Sequence, residues 1–327
     1  MKFTNRHHMI SPRSVLSATL LAALAGGVFT VDRRAAAREA AAEAAFPPLG
    51  QIVTVDGLRV HAFVAGTGPD LILIHGASGN LRDFTFTLIP QLTDRYRVIA
   101  FDRPGLGWSD ALPAAHDSPA DQAAHLRAAA AQLDVTTPIV LGHSYGGAVA
   151  LAWALDAPDT RALVLIAAAS MPWDGSIWFM HNVMGNAVGA HTVVPLISAF
   201  AGMGTVEASI TGIFAPEAAP AGYIDYIGAP LTMRRASLHA NSAQVAELKP
   251  HIIAQSARYT ALTLPIELVH GDTDTIVPAS VHSIPLSQLL PNAHLNIQPG
   301  AGHGIHQTAQ AAVIAAIDRA AARAPLP

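Results

Sequence analysis

Short apolar runs alternate with helix-like segments along most of the chain. Continuous apolar runs typical of buried parallel strands lie at 70–76, 96–102, 137–144, 161–170, 264–272 and 292–300. Segments with a helical pattern lie between and after them, at 81–93, 118–133, 145–156 and 307–324. Strands that alternate with helices predict an α/β fold, in which a mostly parallel sheet is covered by helices on both faces.

A different pattern opens the folded part of the chain. The proline- and glycine-containing stretch "FPPLG" at 46–50 marks where that part is expected to begin. Residues 51–65 then read as two strands around Asp56 and Gly57. An Asp-Gly pair between two strand patterns predicts a tight β-hairpin.

One long interval lacks any clear strand pattern. About ninety residues separate Ser170 from Pro265, which is far more than a connection within a sheet needs. We therefore expect a helical cap at 171–258, inserted into a core formed by 47–170 and 259–327. The cap is rich in aromatic residues and methionine, and these side chains are expected either to pack internally or to line a ligand pocket.

The N-terminal region, residues 1–46, has the layout of a targeting segment. Lys2, Arg6 and Arg13 precede the apolar run Val15–Val31, whose length corresponds to roughly 26 Å of helix, at the short end for crossing a bilayer. The segment is expected to be an uncleaved signal anchor or a cleaved signal peptide, followed by an alanine-rich helical stalk. The protein would then be membrane-anchored, or secreted or periplasmic.

Composition narrows the functional classes. The chain of 327 residues is 51% hydrophobic and only 13% charged, with a net charge of −4. This balance gives no reason to expect a nucleic-acid partner, and it favours an apolar ligand site or a membrane association. There are no cysteines, which excludes disulfides, thiolate metal sites and a catalytic thiol.

The segment Gly142-His143-Ser144-Tyr145-Gly146 carries the strongest chemical signal. It directly follows an apolar strand pattern and directly precedes a helix pattern. A turn this tight strains its central residue and brings its flanking residues together, so glycine is needed on both sides. The following helix would present free amides to an anion near Ser144. The alternative is a serine that only caps a helix in a glycine-rich turn.

A serine nucleophile needs a base and an acid that orients it. "HGDTDTIVP" follows a strand pattern and offers Asp272 and Asp274, and "PGAGHGIH" follows the last strand and offers His303 and His306. Serine, aspartate and histidine in this chain order are what a strand–turn–helix nucleophile predicts. The remaining histidines in strand-like settings, His75, His143, His270 and His282, are interpreted as structural.

The motifs "HGASGN", "FDRPGLGWSD", "GHSYGG", "HGDTDTIVP" and "PGAGHG" follow one another between about Gln51 and Ala321. In this order they resemble the α/β-hydrolase fold superfamily, in its capped serine esterase and haloperoxidase-like branch. The resemblance implies the α/β-hydrolase fold with an inserted helical cap. It also implies that Asp102 and Arg103 hold the loop that follows their strand.

The resemblance assigns a role to each candidate site residue. Ser144 matches the nucleophile, Asp274 the acid and His303 the base, and the backbone amides of Ala77 and Tyr145 match the oxyanion hole. It leaves no catalytic role for the second histidine of the last loop, His306, which is expected to be a surface or cap contact. No cofactor and no metal is expected, and the chain has no recognisable metal-binding motif.

These assignments predict a serine hydrolase that cleaves a carboxylic ester with a hydrophobic portion through an acyl-enzyme intermediate. Serine at position 144, where haloalkane dehalogenases and epoxide hydrolases of this fold carry aspartate, argues against those two activities. The alternatives are an amide or carbon–carbon bond hydrolase, a cofactor-free perhydrolase, or a non-catalytic ligand-binding receptor. Arg234 and Arg235 could bind a carboxylate, although a solvated helix face is the simpler interpretation.

Overall fold

A single eight-stranded sheet forms the centre of the molecule. The structure is a computed structural model that describes residues 12–324, with side chains from residue 23 onward. The strand order is β1-β2-β4-β3-β5-β6-β7-β8. β2 pairs antiparallel with both β1 and β4, and the remaining neighbours, from β4–β3 to β7–β8, pair parallel. The strands are β1 Gln51–Val55, β2 Leu58–Ala65, β3 Asp70–Ile74, β4 Arg97–Phe101, β5 Ile139–His143, β6 Ala162–Ile166, β7 Ile266–Gly271 and β8 Ala293–Gln298.

Helices cover both faces of the sheet, and a further group of helices forms a cap. In chain order they are α1 Pro12–Ala45, α2 Arg82–Thr85, α3 Pro119–Ala131, α4 Tyr145–Asp156, α5 Phe179–Gly185, α6 Ala187–Phe200, α7 Met203–Phe214, α8 Tyr223–Tyr226, α9 Ala229–Thr232, α10 Arg235–Ser256, α11 Ser283–Leu289, α12 Ile305–Thr308 and α13 Gln310–Arg323. Helices α5 to α10 lie between β6 and β7 in the chain and form the cap. The predicted architecture is present: a mostly parallel sheet covered by helices on both faces, with a helical segment inserted between β6 and β7.

Apolar side chains on both faces of the parallel strands bury the sheet. On one face Val149 and Trp153 of α4 pack against the sheet, and on the other face Val313 and Ile317 of α13 do so. Each fully buried side chain of this kind contributes roughly 1.5–3 kcal/mol to folding. The continuous apolar runs in the sequence reflect this burial on two sides.

The hairpin predicted around Asp56 and Gly57 is present. Val55 pairs with Leu58 across a two-residue turn, and both turn residues have positive φ, 51° at Asp56 and 82° at Gly57. Aspartate followed by glycine suits this turn because both residues tolerate the left-handed region.

Two predicted helices are interrupted. The 81–93 segment forms only the short helix α2 and a 3-10 turn at Ile89–Gln91, because Pro90 has no amide to donate within a longer helix. The final segment is divided at Ala309 into α12 and α13. Both departures are local and leave the sheet unchanged.

Helix α1 lies against the cap. Ala35 and Ala42 are buried on the side facing it. Arg235 pairs with Glu39 at 2.8 Å and with Asp32 at 2.5 Å. The interpretation of Arg234 and Arg235 as a solvated face is therefore wrong, because Arg234 also pairs with Glu43, at 3.0 Å. The alanine-rich segment is helical as expected, but its second half is docked on the cap.

Much of the predicted membrane segment falls outside the described side chains. Residues 1–11 are not described, and in 15–31 only residues 23–31 have described side chains. Within the described residues, no single helix reaches the length and hydropathy of a membrane span. Helices α5 and α6 together do reach that hydropathy, with a bend of 104° between them.

Candidate active site

The candidate nucleophile lies on a strained turn at the end of β5. Ser144 has φ 54° and ψ −120° and connects β5 directly to α4. A side-chain carbon at Gly142 would lie 2.2 Å from the carbonyl oxygen of Gly146, and one at Gly146 would lie 2.2 Å from that of Ile74. Both glycines are therefore required for the close approach of the backbone, as the sequence predicted.

The parallel strands bring the other candidate residues to the same edge of the sheet. Asp274 follows β7 and His303 follows β8, and His303 Nδ1 donates to Asp274 Oδ2 at 2.7 Å. This hydrogen bond leaves Nε2 as the basic nitrogen of a neutral imidazole. Both side chains are buried, with 6% exposure for His303 and 0% for Asp274, so the pair is largely shielded from water.

The environment of Asp274 keeps its carboxylate ionised. Burial alone would raise its pKa, but hydrogen bonds from His270 and His303 outweigh that effect and lower the pKa well below its ordinary value. The amides of Ile276 and Val277 each donate to Oδ1 at 2.9 Å. The carboxylate is thus held in one orientation by the turn that carries it.

The residue before Ser144 lies beside the candidate base. The ring of His143, the residue before the serine, lies 4.9 Å from the ring of His303, measured between centroids. No hydrogen bond joins the Ser144 hydroxyl to His303 among the residues that the structure describes. Such bonds are often long or poorly aligned in the absence of substrate and tighten when it binds.

The loop after β3 passes beside the serine. A side-chain carbon at Gly76 would lie 3.0 Å from the Cβ of Ser144, so the next amide in the chain, that of Ala77, is close to the nucleophile. The amide of Tyr145 opens α4 directly after Ser144. These two groups are where the sequence placed the oxyanion hole.

Arg103 lies in the loop after β4 and also holds the loop after β3. Its guanidinium is fully buried and donates to the carbonyl oxygens of His75 and Gly76, at 3.0 and 3.2 Å. It also lies over the ring of Tyr145, 4.1 Å from the centroid. Burial lowers the pKa of Arg103 to about 10, so it remains charged at neutral pH and supports both sides of the candidate oxyanion hole.

Asp102 fixes the loop that follows β4, as the resemblance implied. It accepts hydrogen bonds from the amides of Leu81 and Trp108, both at 2.7 Å. Its Oδ2 also lies 2.6 Å from Nδ1 of His61, on β2. The aspartate therefore ties the loop after β3 to the loop after β4.

Sequence reasoning missed Asn241, a residue of the cap. Its side-chain oxygen accepts from the amide of Ser78 at 2.6 Å, and its nitrogen donates to the Ser78 hydroxyl at 3.0 Å. Ser78 has φ 57° and directly follows Ala77, so the cap fixes the conformation of the candidate oxyanion loop. No motif in the sequence marks this contact, because 163 positions separate the two residues.

His306 is not on the surface. It is 1% exposed, and its Nε2 lies 2.7 Å from Asp83 Oδ1. The hydroxyl of Tyr223, in the cap, donates to the same oxygen at 2.5 Å. Burial raises the pKa of Asp83, but the neighbouring His306 more than reverses this, so the carboxyl is ionised. His306 therefore contacts the cap through Asp83.

The same cluster has the donor types of a metal site. Asp83, His143 and His306 place one ligand atom each within 4.8 Å of one another. Asp83 is already engaged by His306 and Tyr223, and His143 Nε2 donates to the carbonyl oxygen of His303 at 3.1 Å. We interpret the cluster as a link between the cap and the loop that carries His303.

Two cavities lie beside α1, away from the candidate catalytic residues. One has a volume of about 240 Å³ between α1 and the cap, and the other, of about 500 Å³, lies between α1, the cap and the loop after β4. Neither is lined by Ser144, Asp274 or His303. The cap methionines Met203 and Met233 line the smaller cavity, whereas no aromatic residue of the cap lines either one. Phe214 and Tyr223 pack internally instead.

Comparison with known protein families identifies the fold independently of the site geometry described above. A family model described as the alpha/beta hydrolase fold matches residues 69–309. The chain belongs to the α/β-hydrolase family. This confirms the resemblance drawn from the five sequence motifs, and it makes the protein an enzyme of the hydrolase class.

Individual relatives cover most of this α/β hydrolase. The magnesium-chelatase 30 kDa subunit of Rhodobacter capsulatus is 32% identical over 243 residues, which cover 74% of this chain and 83% of the relative. Among solved structures, an alpha/beta hydrolase fold protein from Burkholderia ambifaria matches with a TM-score of 0.67 and 26% identity, covering 83% of this chain and 98% of that one. A thermophilic esterase from Thermogutta terrifontis matches with a TM-score of 0.67 and 20% identity, covering 84% and 100%; at that identity the likeness shows the fold alone.

Proposed function

We propose that this α/β hydrolase cleaves carboxylic esters with a hydrophobic portion, using Ser144 as nucleophile, His303 as base and Asp274 as the orienting acid. The observation that carries the proposal is the 2.7 Å hydrogen bond between His303 and Asp274, at the same edge of the sheet where Ser144 is held at φ 54°. A base oriented by a buried carboxylate, together with a serine on a strained strand-to-helix turn at the same edge of the sheet, is the arrangement that activates an alcohol.

The first half-reaction forms an acyl-enzyme. Ser144 Oγ attacks the ester carbonyl while His303 Nε2 takes its proton, and the imidazolium is stabilised by Asp274. The carbonyl oxygen becomes an oxyanion that accepts from the amides of Ala77 and Tyr145. Each such donor is worth about 3–4 kcal/mol in the transition state. His303 then gives the proton to the departing alcohol.

The second half-reaction releases the acid. His303 removes a proton from water, which attacks the acyl carbonyl, and the proton returns to Ser144 Oγ as the ester bond breaks. The second oxyanion accepts hydrogen bonds from the same two amides. No metal or cofactor is needed for either step.

The surroundings of the site favour an apolar substrate. The cap segment above the sheet has no Asp, Glu, Lys or Arg between Asp174 and Glu207, so that part of it offers no full charge to pair with an ionic substrate. The buried charges close to the site, Asp83 and Arg103, are already paired or hydrogen-bonded within the protein. An uncharged ester is therefore the substrate class that fits best.

Turnover of p-nitrophenyl esters, from acetate to palmitate, tests the proposal. Wild-type protein is expected to hydrolyse them, and Ser144→Ala to lower kcat by about a thousandfold or more. Ser170→Ala is the matched control. Ser170 is also buried, and it lies at the same edge of the sheet after β6, but it has no assigned role. It should retain most of the activity.

A fluorophosphonate label separates the other outcomes. Folded protein that labels at Ser144 but hydrolyses no ester would contradict the ester proposal and favour an amide or carbon–carbon bond substrate, or perhydrolysis. Folded protein that neither labels nor turns over would contradict nucleophilic catalysis itself. It would favour a ligand-binding role on the hydrolase fold.

A further inference from the structure

Exposed apolar side chains are concentrated on two neighbouring parts of the molecule. Of the thirteen large hydrophobic residues that are exposed within the described side chains, eight belong to α1 or to the α5–α6 pair and its entry. A concentration of this kind on a folded protein marks an interaction surface. The eight residues are Leu24, Val28, Phe29, Trp178, Phe179, Val188, Leu196 and Phe200; we call them the apolar surface.

The α5–α6 pair has the hydropathy of a membrane segment but the wrong shape to cross one. The two helices are bent by 104°, and α6, with 14 residues, is only about 21 Å long. A bilayer core is about 30 Å thick. A helix pair of this length that exposes apolar side chains can bury them at the interface of a bilayer while it lies in the plane of the membrane.

Helix α1 connects this pair to the apolar N-terminal run. Ala35 and Ala42 are buried against the cap, and Leu24 and Val28 continue the same helical stripe towards the N-terminus, because a stripe repeats every three to four residues. There the cap no longer covers it, and Leu24 and Val28 are 58% and 70% exposed. The stripe therefore needs another apolar partner.

The end of the apolar run lies at the level of α6. Arg34 stacks over the ring of Phe200, 5.1 Å from its centroid. Arg34 follows Val31, the last residue of the run, by three positions, which is about 4.5 Å along a helix. The exposed side chain of Phe200 therefore lies about one helical turn from the end of the run.

The charges next to this level suit a lipid headgroup region. Asp32 follows the apolar run, Arg33 and Arg34 come next, and Arg38 lies one turn later. Arginines that flank an apolar helix interact favourably with anionic headgroups. We propose that the apolar surface docks the protein on a lipid bilayer with its cap towards the membrane, and that α1 enters the same bilayer.

The attachment of α1 makes this orientation rigid. Arg34 and Arg38 both donate to the carbonyl oxygen of Ala199 at the end of α6, at 2.8 and 3.0 Å. Over the same stretch of α1, Arg235 of the cap pairs with Glu39 and Asp32. The helix and the cap therefore take one position relative to the membrane. An apolar substrate could then pass from the bilayer to the cap without crossing water.

Site-specific labelling of the full chain tests the docking. The protein has no cysteine, so each single variant carries one thiol for an environment-sensitive nitrobenzoxadiazole dye. Val28→Cys probes α1, Leu196→Cys and Phe200→Cys probe the cap, and Leu289→Cys on α11 is the control, since it is also exposed but lies on the core. Each is reconstituted with vesicles of phosphatidylcholine and phosphatidylglycerol, with and without nitroxide-labelled lipid.

The dyes at 28, 196 and 200 are expected to shift to the blue in vesicles and to lose most of their fluorescence to the nitroxide lipid, while that at 289 does neither. If only the dye at 28 is quenched, α1 anchors a cap that faces away from the bilayer, and the proposal fails. It also fails if no dye is quenched. Blue-shifted cap dyes without quenching would mean that a second copy or another protein covers the surface. These readouts do not depend on the proposed ester hydrolysis.

Discussion

Asp272 and Asp274 lie two positions apart and have different partners. Asp272 is exposed, and its Oδ1 accepts from the amide of Gly300 at 2.7 Å, which joins the turns after β7 and β8. Asp274 is buried and accepts from His303. Residue type and strand context did not distinguish the two carboxylates, because both follow β7 within one short turn. The direction of each side chain decides which one can orient a base.

Replacing each aspartate separately tests this division at the residue scale. Asp274→Asn keeps the size of the side chain but removes the charge that stabilises the imidazolium of His303. It is expected to lower kcat by roughly a hundredfold to ten-thousandfold. Asp272→Asn should stay within a few-fold of wild type. Steady-state kinetics on one p-nitrophenyl ester measures both, and an inactive Asp272→Asn beside an active Asp274→Asn would refute the assignment.

At the scale of elements, the turn from β5 to α4 is the part of the site that the sequence specifies most fully. Gly142 and Gly146 face each other at a distance that excludes any side chain. Gly147 continues this packing, since a side-chain carbon there would lie 2.3 Å from the Cβ of Ala168. Strand, turn and helix are joined without an intervening loop, so the position of Ser144 follows from local geometry.

Alanine at Gly142 should therefore disrupt this turn. Its new methyl group would meet backbone rather than a movable side chain, and the free energy of unfolding is expected to fall by about 3 kcal/mol. Gly212→Ala in α7 is the matched control, because nothing lies within 4 Å of the added carbon; it should be neutral or stabilise by up to about 1 kcal/mol. Urea unfolding followed by circular dichroism compares them. Equal stability of the two variants would show that the turn has room to adjust.

At the scale of the whole molecule, α1 connects three parts that are distant in the chain. Its second half pairs with α10 of the cap through Arg234 and Arg235. The chain that leaves it touches the core, since Trp108 donates to the carbonyl oxygen of Phe46 at 3.0 Å. The cap in turn holds the loop after β3 through Asn241. The N-terminal helix, the cap and the active-site loop are thus mechanically linked.

Removing Arg235 should loosen this linkage without unfolding the sheet. Arg235→Ala breaks the ion pairs to Glu39 and Asp32, and amide hydrogen exchange in 32–45 is expected to become roughly tenfold faster, as for a loss of about 1.4 kcal/mol of local stability. Arg258→Ala, which removes an exposed pair with Asp156, is the control and should change little. Unchanged exchange in 32–45 would mean that apolar packing alone holds the helix.

The sequence by itself determined the features that depend on residues close together along the chain. The apolar runs specified the strands, the Asp-Gly pair specified the hairpin, and the paired glycines specified a strained serine at the end of β5. Their order along the chain was enough to recognise the fold. These features are readable because backbone geometry imposes a period of about two or 3.6 residues and a few turn types, all within a short window.

Tertiary structure alone decided which distant side chains meet. Only the fold shows that His306 turns inward to Asp83, that Asn241 of the cap holds the loop beside Ser144, and that Arg235 binds the N-terminal helix. These partners are set by the angles at which many elements pack around the sheet. A local pattern shows that a side chain is polar or charged, but the packing of the whole chain selects its partner.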